Sequence, residues 1–244
     1  MDPLATPLVA VVADARAFLF RRASAAGSPH VDFAASETTV DGLARERPGT
    51  VFESGHRWQM VPARLYRYED RYYYLRGRYP TVPADRVGVA SLPRLGAMGV
   101  YDRHAELSEE LYGGHHVAEL LLAASQHLTP TASTHALAYV LGEWCWVVLV
   151  REGRTLYVQP ARLAAPADAV FAVASTLQHF GVRPAACPLY LGGGVAPDGQ
   201  TWRALSVYFD LRELPAALGS PPPSGLLRLL LALGRALRAP AATG

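Results

Sequence analysis

Three consecutive glycines form the pattern in this chain that most directly suggests chemistry. Gly192, Gly193 and Gly194 follow the short apolar run 189–191, which is typical of a buried strand. Glycine has no Cβ and accepts a positive φ, so the backbone can turn sharply there and come close to a ligand. The pattern therefore predicts a ligand-contacting turn at the end of a strand.

A second cluster combines histidines with a carboxylate. His115 and His116 precede Glu119 by about one helical turn, so a histidine and the carboxylate can share one face of a helix and coordinate a metal ion. The spacing offers no third ligand. The favoured interpretation is a capped helix start, and no metal site is predicted.

The segment 64–79 interleaves arginine with tyrosine. Five arginines and six tyrosines occur there: Arg64, Arg67, Arg71, Arg76 and Arg78 with Tyr66, Tyr68, Tyr72, Tyr73, Tyr74 and Tyr79. Guanidinium groups pair with phosphates and tyrosine rings stack on bases, so a nucleic-acid-binding module is one interpretation. Tyrosine also packs with one face buried, and Glu69 and Asp70 reduce the charge. We favour a structural role and keep nucleic-acid binding as the alternative.

Composition excludes several other chemistries. All 23 basic groups are arginine, since the 244 residues include no lysine, and 21 acidic residues bring the net charge to +2. A phosphate-binding loop with lysine and a Schiff-base lysine are therefore impossible. Cys145 and Cys187 are too few for a disulfide scaffold and are predicted to be free thiols. The sequence predicts no secretory signal, no membrane span and a cytoplasmic location.

The elements that must position these residues follow from the apolar spacing. The first half predicts a hairpin over 8–22, strands near 31–33, 58–61, 87–90 and 98–101, and helices over 37–47 and 103–128, the latter with a break at Gly113 and Gly114. The second half predicts strands over 137–141, 144–150 and 155–158, and helices over 167–180 and 200–209. An amphipathic helix over 226–238 follows, and we expect it to dock on the chain itself.

Both halves begin with a hairpin and continue through a further strand, a helix and another strand. Internal duplication explains this repetition. We therefore predict a duplicated two-lobe α/β fold with mixed sheets and flanking helices. The predicted lobes span residues 1–130 and 131–219, and residues 220–244 form a Pro-rich linker, the amphipathic helix and a tail.

Several short segments carry a resemblance to known proteins. They are 60–66, 73–75, 99–101, 115–116, 155–158, 167–180, 189–193 and 206–209. Their order resembles the uncharacterised bacterial domain-of-unknown-function family 3822. The architecture resembles the actin, Hsp70 and sugar-kinase superfamily, which implies an actin-like ATPase fold of the ribonuclease H-like type. In that superfamily each lobe opens with a hairpin whose turn grips phosphate.

The resemblance also implies where a nucleotide site would lie. It places Asp14 at the first phosphate turn, Gly142 and Glu143 at the second, and the glycine run 192–194 at the adenosine-binding turn. However, no glycine follows Asp14 at the superfamily's position, and bulky Trp144 follows Glu143. A degenerate site is therefore predicted, with no catalytic residues and no cofactor.

The predicted function is a non-catalytic pseudo-ATPase that acts as an adaptor or assembly factor for an unknown protein partner. One alternative is an ATP-dependent enzyme of the same superfamily, in which Asp14 and Glu143 lie near Mg²⁺ and the glycine run contacts adenosine. The other alternative is the nucleic-acid-binding module described above.

Overall fold

A computed structural model describes residues 9–13, 16–23, 33–107, 109–111, 115–126, 128, 133–214 and 225–239. The chain divides into two compact units. Unit 1 comprises Met1–Gly27 and Phe33–Glu119, and unit 2 comprises Ser28–Asp32 and Leu120–Gly244. The main sheet of each unit has five strands.

Unit 1 opens with three antiparallel strands: β1 (Val9–Ala13), β2 (Arg16–Arg22) and β3 (Phe33–Thr38). Helix α1 (Val40–Glu46) follows, and β4 (Thr50–Glu53) then returns parallel to β1. Because side chains alternate along a strand, one face of this sheet buries Ala10, Val12 and Leu19 against Val40 and Leu43 of α1.

The beginning of α1 explains two errors in the predicted boundaries. Thr38 still pairs with Ala17 in the sheet, and the Thr39 hydroxyl caps the helix by accepting the Gly42 N–H at 3.1 Å. The strand predicted near 31–33 therefore lies at 33–38, and the helix predicted from residue 37 begins at Val40. Most of β3 is exposed, so it lacks the apolar alternation that marks a half-buried strand.

A small antiparallel sheet follows β4. Its elements are β5 (Trp58–Pro62), α2 (Arg71–Arg76), β6 (Val87–Leu92) and β7 (Ala97–Asp102). Helix α2 covers it, with Leu75 fully buried among Val61, Val87 and Val100. We call residues 58–102 the insertion, because in the described part of unit 2 no additional sheet occupies the corresponding place.

Strand β8 (His115–His116) completes the main sheet of unit 1 in the order β3-β2-β1-β4-β8, and α3 (Val117–Ser125) follows it. The helix predicted over 103–128 is therefore wrong in its first half. Residues 115–116 pair with Phe52 and Glu53 of β4 instead. Between residues 103 and 114, the described residues include one short 3-10 helix, Glu109–Leu111, and no α-helix.

Unit 2 contains β9 (Thr134–Leu141), β10 (Trp144–Arg151), β11 (Arg154–Arg162), α4 (Pro166–His179), β12 (Leu189–Gly193), α5 (Gln200–Ser206), β13 (Leu211–Glu213) and α6 (Gly225–Arg238). Its sheet order is β11-β10-β9-β12-β13. Strand for strand, the order and the directions repeat those of unit 1. The duplication predicted from the sequence is confirmed.

Helices cover both faces of the unit 2 sheet. On one face, Val173 and Leu177 of α4 pack against Ala138, Val147 and Leu191. On the other face, α6 packs on β12, and the buried Tyr139 hydroxyl donates to the carbonyl of Leu230 at 2.6 Å. The amphipathic helix thus docks within its own unit. Of the helices that the structure describes, none is long and apolar enough to cross a membrane.

Candidate functional site

Three of the six predicted nucleotide-site residues line one cavity in unit 2. Gly142, Glu143 and Gly194 contribute to a cavity of about 430 Å³, together with the β11–α4 connection and the segment between β12 and α5. They meet because β9 and β12 are parallel neighbours, with Val140 opposite Gly193. The turn after β9 and the segment after β12 therefore leave the sheet at the same edge, where open α/β sheets bind ligands.

The turn between β9 and β10 consists of Gly142 and Glu143. Leu141 pairs with Trp144, so the hairpin connection has two residues, and Gly142 has the positive φ of 55° that such tight turns require. The Glu143 carboxylate accepts from Arg162 Nη2 at 3.0 Å and Nε at 3.4 Å. A magnesium ion at this turn would have to compete with that guanidinium for the carboxylate.

The glycine run serves packing at two of its three positions. A Cβ on Gly193, whose φ is 86°, would collide with the backbone of Val140. A Cβ on Gly192 would lie 2.9 Å from Leu214 and 3.0 Å from the Tyr139 ring. Only Gly194 lines the cavity and is exposed, and its N–H already donates to the Val140 carbonyl at 2.9 Å. Of the three glycines, Gly194 is therefore the one that could contact a ligand in this cavity.

The N-terminus of α4 forms another wall of the cavity. Helix N-termini attract anions through their free N–H groups. Here Asp168 Oδ2 accepts the N–H groups of Ala164 at 2.7 Å and Ala165 at 2.8 Å, and Pro166 has no N–H. Ala164 and Ala165 precede the helix, so the Asp168 carboxylate lies at the helix end, where a phosphate would meet a like charge. Among the described residues that line the cavity, Glu143 alone is charged, so the walls offer no cation to a triphosphate.

The first predicted turn contributes less information. Asp14 and Ala15 lie outside the described residues. Strands β1 and β2 pair as far as Ala13 and Arg16. Arg16 forms a two-pronged ion pair with Glu37 of β3, at 2.6 and 2.8 Å, and this pairing lowers the pKa of Glu37.

A buried ionic cluster in unit 1 was missed by sequence reasoning. Glu53 ends β4, where Oε2 accepts the His104 N–H at 2.8 Å and Oε1 lies 3.9 Å from Arg103 Nε. Burial raises the pKa of Glu53 to about 7. Nearby, the Asp102 carboxylate pairs with Arg86 at 2.7 Å and Arg57 at 3.3 Å. The available signal was an acid directly after each of two apolar strands.

The contacts of His115 and His116 stabilise the local fold. His116 is fully buried; its Nε2 donates to the Gly55 carbonyl and its Nδ1 accepts the Ala118 N–H, both at 3.1 Å. Burial lowers its pKa to about 3. Glu119 accepts the His116 N–H at 2.8 Å and so caps the start of α3. In the described part of the chain, no three metal-ligating side chains cluster.

The tyrosines of segment 64–79 divide into two groups. Four are half-buried against the core of the insertion: Tyr66, Tyr72, Tyr74 and Tyr79. The Tyr74 hydroxyl donates to the Leu65 carbonyl at 2.8 Å and accepts the Arg67 N–H at 3.2 Å, so it fixes the fold of the segment. Tyr68 and Tyr73 are about two-thirds exposed, at 64% and 66%. The segment therefore combines a packed inner side with an exposed outer side.

No protein-family model matches the chain, and no curated protein matches it either. The resemblance to family 3822 therefore stays a prediction. Among solved structures, the chain is similar to a Bacteroides thetaiotaomicron VPI-5482 protein with an actin-like ATPase fold and unknown function. The TM-score is 0.69 at 10% identity, over 95% of this chain and 98% of that chain.

Two further solved structures show weaker similarity. One is the PilM–PilN type IV pilus biogenesis complex, with a TM-score of 0.46 and 15% identity over 98% of this chain and 100% of that chain. The other is the ethanolamine utilization protein EutJ from Carboxydothermus hydrogenoformans, with a TM-score of 0.43 and 9% identity over 93% and 88%. On the Bacteroides structure and the duplicated sheet order, this chain has an actin-like ATPase fold.

Proposed function

We propose that this protein is a non-catalytic member of the actin-like group, a pseudo-ATPase that acts as an adaptor or assembly factor in the bacterial cytoplasm. The ion pair between Glu143 and Arg162 carries the proposal. At the turn where the superfamily holds hydrated magnesium, the Glu143 carboxylate is already paired with the Arg162 guanidinium of the neighbouring strand β11. The Asp168 carboxylate at the start of α4 supports the same conclusion, because it brings a negative charge to the helix end that a phosphate would use.

The described cysteines support the location and the absence of thiol chemistry. Cys145 and Cys187 are both free and buried, as expected in a reducing compartment. Burial raises the pKa of the Cys145 thiol to about 12 and that of Cys187 to about 11. Neither thiol forms a thiolate at neutral pH, so neither acts as a nucleophile. We also propose that the chain is a member of family 3822 and that it binds a protein partner, which is not yet identified.

Thermal denaturation with and without Mg-ATP tests the pseudo-ATPase. A ligand at about 100 times its dissociation constant adds about 2.7 kcal/mol to the free energy of unfolding, which corresponds to a shift of roughly 5–10 °C for a chain of this size. We expect no shift and no phosphate release. A clear shift that disappears in both Asp14→Ala and Glu143→Ala would show that the site is intact and refute the proposal.

One observation favours the competing function, an ATP-binding enzyme. Gly142, Glu143 and Gly194 line the same cavity, in the arrangement that a nucleotide half-site requires. In this case Asp14 and Glu143 serve near Mg²⁺, and the glycine run contacts adenosine. Arg162→Ala, which frees the Glu143 carboxylate, distinguishes the two functions. If the protein is an enzyme that the ion pair inhibits, Mg-ATP should raise the melting temperature of this variant and the variant should hydrolyse ATP faster. If the protein is a pseudo-ATPase, the variant should show no ATP hydrolysis.

A further inference from the structure

The insertion is an addition to the repeated architecture. Unit 2 connects its fourth and fifth strands through the short helix α5, whereas unit 1 places residues 58–102 at the same point. The strands of the insertion pair only with one another, in the order β5-β7-β6. The repeated sheet does not need these residues for its own hydrogen bonds, so they are available for a separate task.

The outer side of segment 64–79 exposes large apolar groups. Leu65, Tyr68 and Tyr73 are 60–66% exposed, and they are three of the six large hydrophobic residues that the described chain leaves exposed. They alternate with residues whose side chains point into the insertion core, among them Leu75 and Tyr72. Exposed tyrosine beside arginine is the composition that protein interfaces favour over the rest of the surface.

Among the residues that the structure describes, the arginines of this segment form no ion pair with a carboxylate. Elsewhere, eight arginines form ion pairs with acids: Arg16, Arg21, Arg57, Arg86, Arg103, Arg162, Arg212 and Arg238. Among the described residues, none of the five arginines in 64–79 does so. Five arginines against two acidic residues give this segment a net charge of +3, although the whole chain carries +2.

The side chain of one of these arginines, Arg71, is preorganised to bind an acidic ligand. The Arg71 guanidinium stacks on the Tyr68 ring at 4.2 Å and donates through Nη1 to the Tyr68 carbonyl at 3.1 Å. These contacts restrict the side chain and leave other N–H groups of the guanidinium available. A carboxylate that binds there costs less conformational entropy than it would with a free arginine.

We propose that this surface, formed by Leu65, Tyr68 and Tyr73 with Arg64, Arg67, Arg71 and Arg76, binds a short acidic peptide segment of a partner protein that carries an aliphatic or aromatic side chain. The inference rests on the proposed adaptor function, for which it names the partner class. The arginines pair with the carboxylates, and the exposed Tyr73 ring with Leu65 holds the apolar side chain, while the Tyr68 ring supports the Arg71 guanidinium. Tyrosine and arginine dominate binding energy at such surfaces.

Two features favour an acidic peptide over single-stranded nucleic acid. Glu69 and Asp70 lie within the surface, and a regularly charged phosphate backbone would pass close to them, whereas the spacing of peptide carboxylates can avoid them. Nucleic-acid surfaces also stack successive bases on free rings. Here the Arg71 guanidinium covers the Tyr68 ring.

Fluorescence anisotropy with a labelled peptide of about 15 residues, in which glutamate alternates with leucine and tyrosine, tests the proposal on the full chain. The variants are Arg67→Glu/Arg71→Glu and Tyr68→Ala/Tyr73→Ala. The matched control is Arg154→Glu/Tyr208→Ala, an exposed pair in unit 2. We expect saturable binding that weakens with salt, a loss of about tenfold or more in each surface variant, and no change in the control. Circular dichroism checks that each variant is folded.

Three results would overturn the inference: no saturable binding up to about 1 mM peptide, equal losses in the control variant, or tighter binding of a labelled oligouridine that the same surface variants abolish. The last result would establish the nucleic-acid module instead. The Mg-ATP melt on the same samples separates the two proposals. A nucleotide shift with intact peptide binding refutes only the pseudo-ATPase, and lost peptide binding without a nucleotide shift refutes only the docking surface.

Discussion

Alanine substitutions at Gly193 and at Gly234 are expected to change stability in opposite directions. The two residues contact each other: a Cβ on Gly234 of α6 would lie 3.4 Å from the backbone N and O of Gly193. The added methyl group is the same at both positions, so the difference reports the local backbone. The pair therefore tests whether the glycine run exists for packing.

The magnitudes follow from the local geometry. Alanine at the Gly193 φ of 86° costs about 1–2 kcal/mol, and the collision of its Cβ with Val140 adds about 1–3 kcal/mol of overpacking. Alanine at Gly234 gains about 1 kcal/mol of helix propensity and meets Gly193 at an ordinary contact distance. Gly193→Ala should lower the melting temperature by roughly 5–15 °C, and Gly234→Ala should raise it by up to about 4 °C.

Thermal and urea denaturation of the two variants and the unaltered chain measure these changes, with the urea midpoint read at constant slope. If Gly193→Ala melts like the unaltered chain, Val140 does not press on this residue and the packing explanation of the glycine run is wrong. If Gly234→Ala loses as much stability as Gly193→Ala, the distance between α6 and β12 must be shorter than the 3.4 Å contact described above implies.

Two other predictions concern the tail helix and a pair of buried titrating groups. Deleting residues 221–244 should lower the melting temperature and cause aggregation, since Leu227, Leu230 and Leu233 are fully buried; a truncated chain that is equally stable and soluble contradicts this. In the native state Glu53 stays protonated until the pH rises to its pKa of about 7. Native His116 stays neutral until the pH falls to its pKa of about 3. Between about pH 5 and 6.5 their contributions oppose each other, each at up to about 1.4 kcal/mol per pH unit. In urea titrations, the slope of stability against pH should therefore be more positive in Glu53→Gln, and more negative in His116→Gln, than in the unaltered chain; changes of the same sign in both variants would contradict the assignment.

The duplicated fold could be predicted because its central strands are nearly continuous apolar runs. Strands β1, β9 and β10 are buried along most of their length, and only two residues join the strands of each hairpin. Strand β3 was misplaced because its exposed residues show no alternation. The insertion was predicted only as separate strands, since nothing in the local pattern shows that β5, β6 and β7 pair with one another rather than with the main sheet.

Three of the predicted site residues lie close together, because the parallel pairing of β9 and β12 brings Gly142, Glu143 and Gly194 to one cavity. That these residues form a nucleotide site stays a prediction. The partner of Glu143 was not predictable, because Arg162 stands 19 residues away and reaches the turn only through the register of β10 and β11. The cluster around Glu53 was missed for the same reason: its contacts with Arg103 and His104 join residues about 50 positions apart.

The self-contained pairing of the insertion has a consequence for local opening. Because β5, β6 and β7 pair with one another and with no other described strand, their amide hydrogens can exchange with solvent as one cooperative group while the central strands of both units stay closed. Trp58 stacks on the buried His116 ring and Tyr101 packs against it at an angle of 51°, so these contacts anchor one end of the insertion and opening should begin near α2. An occupant on the exposed tyrosines would then slow exchange in the insertion first, and leave β1 and β9 at their own rates.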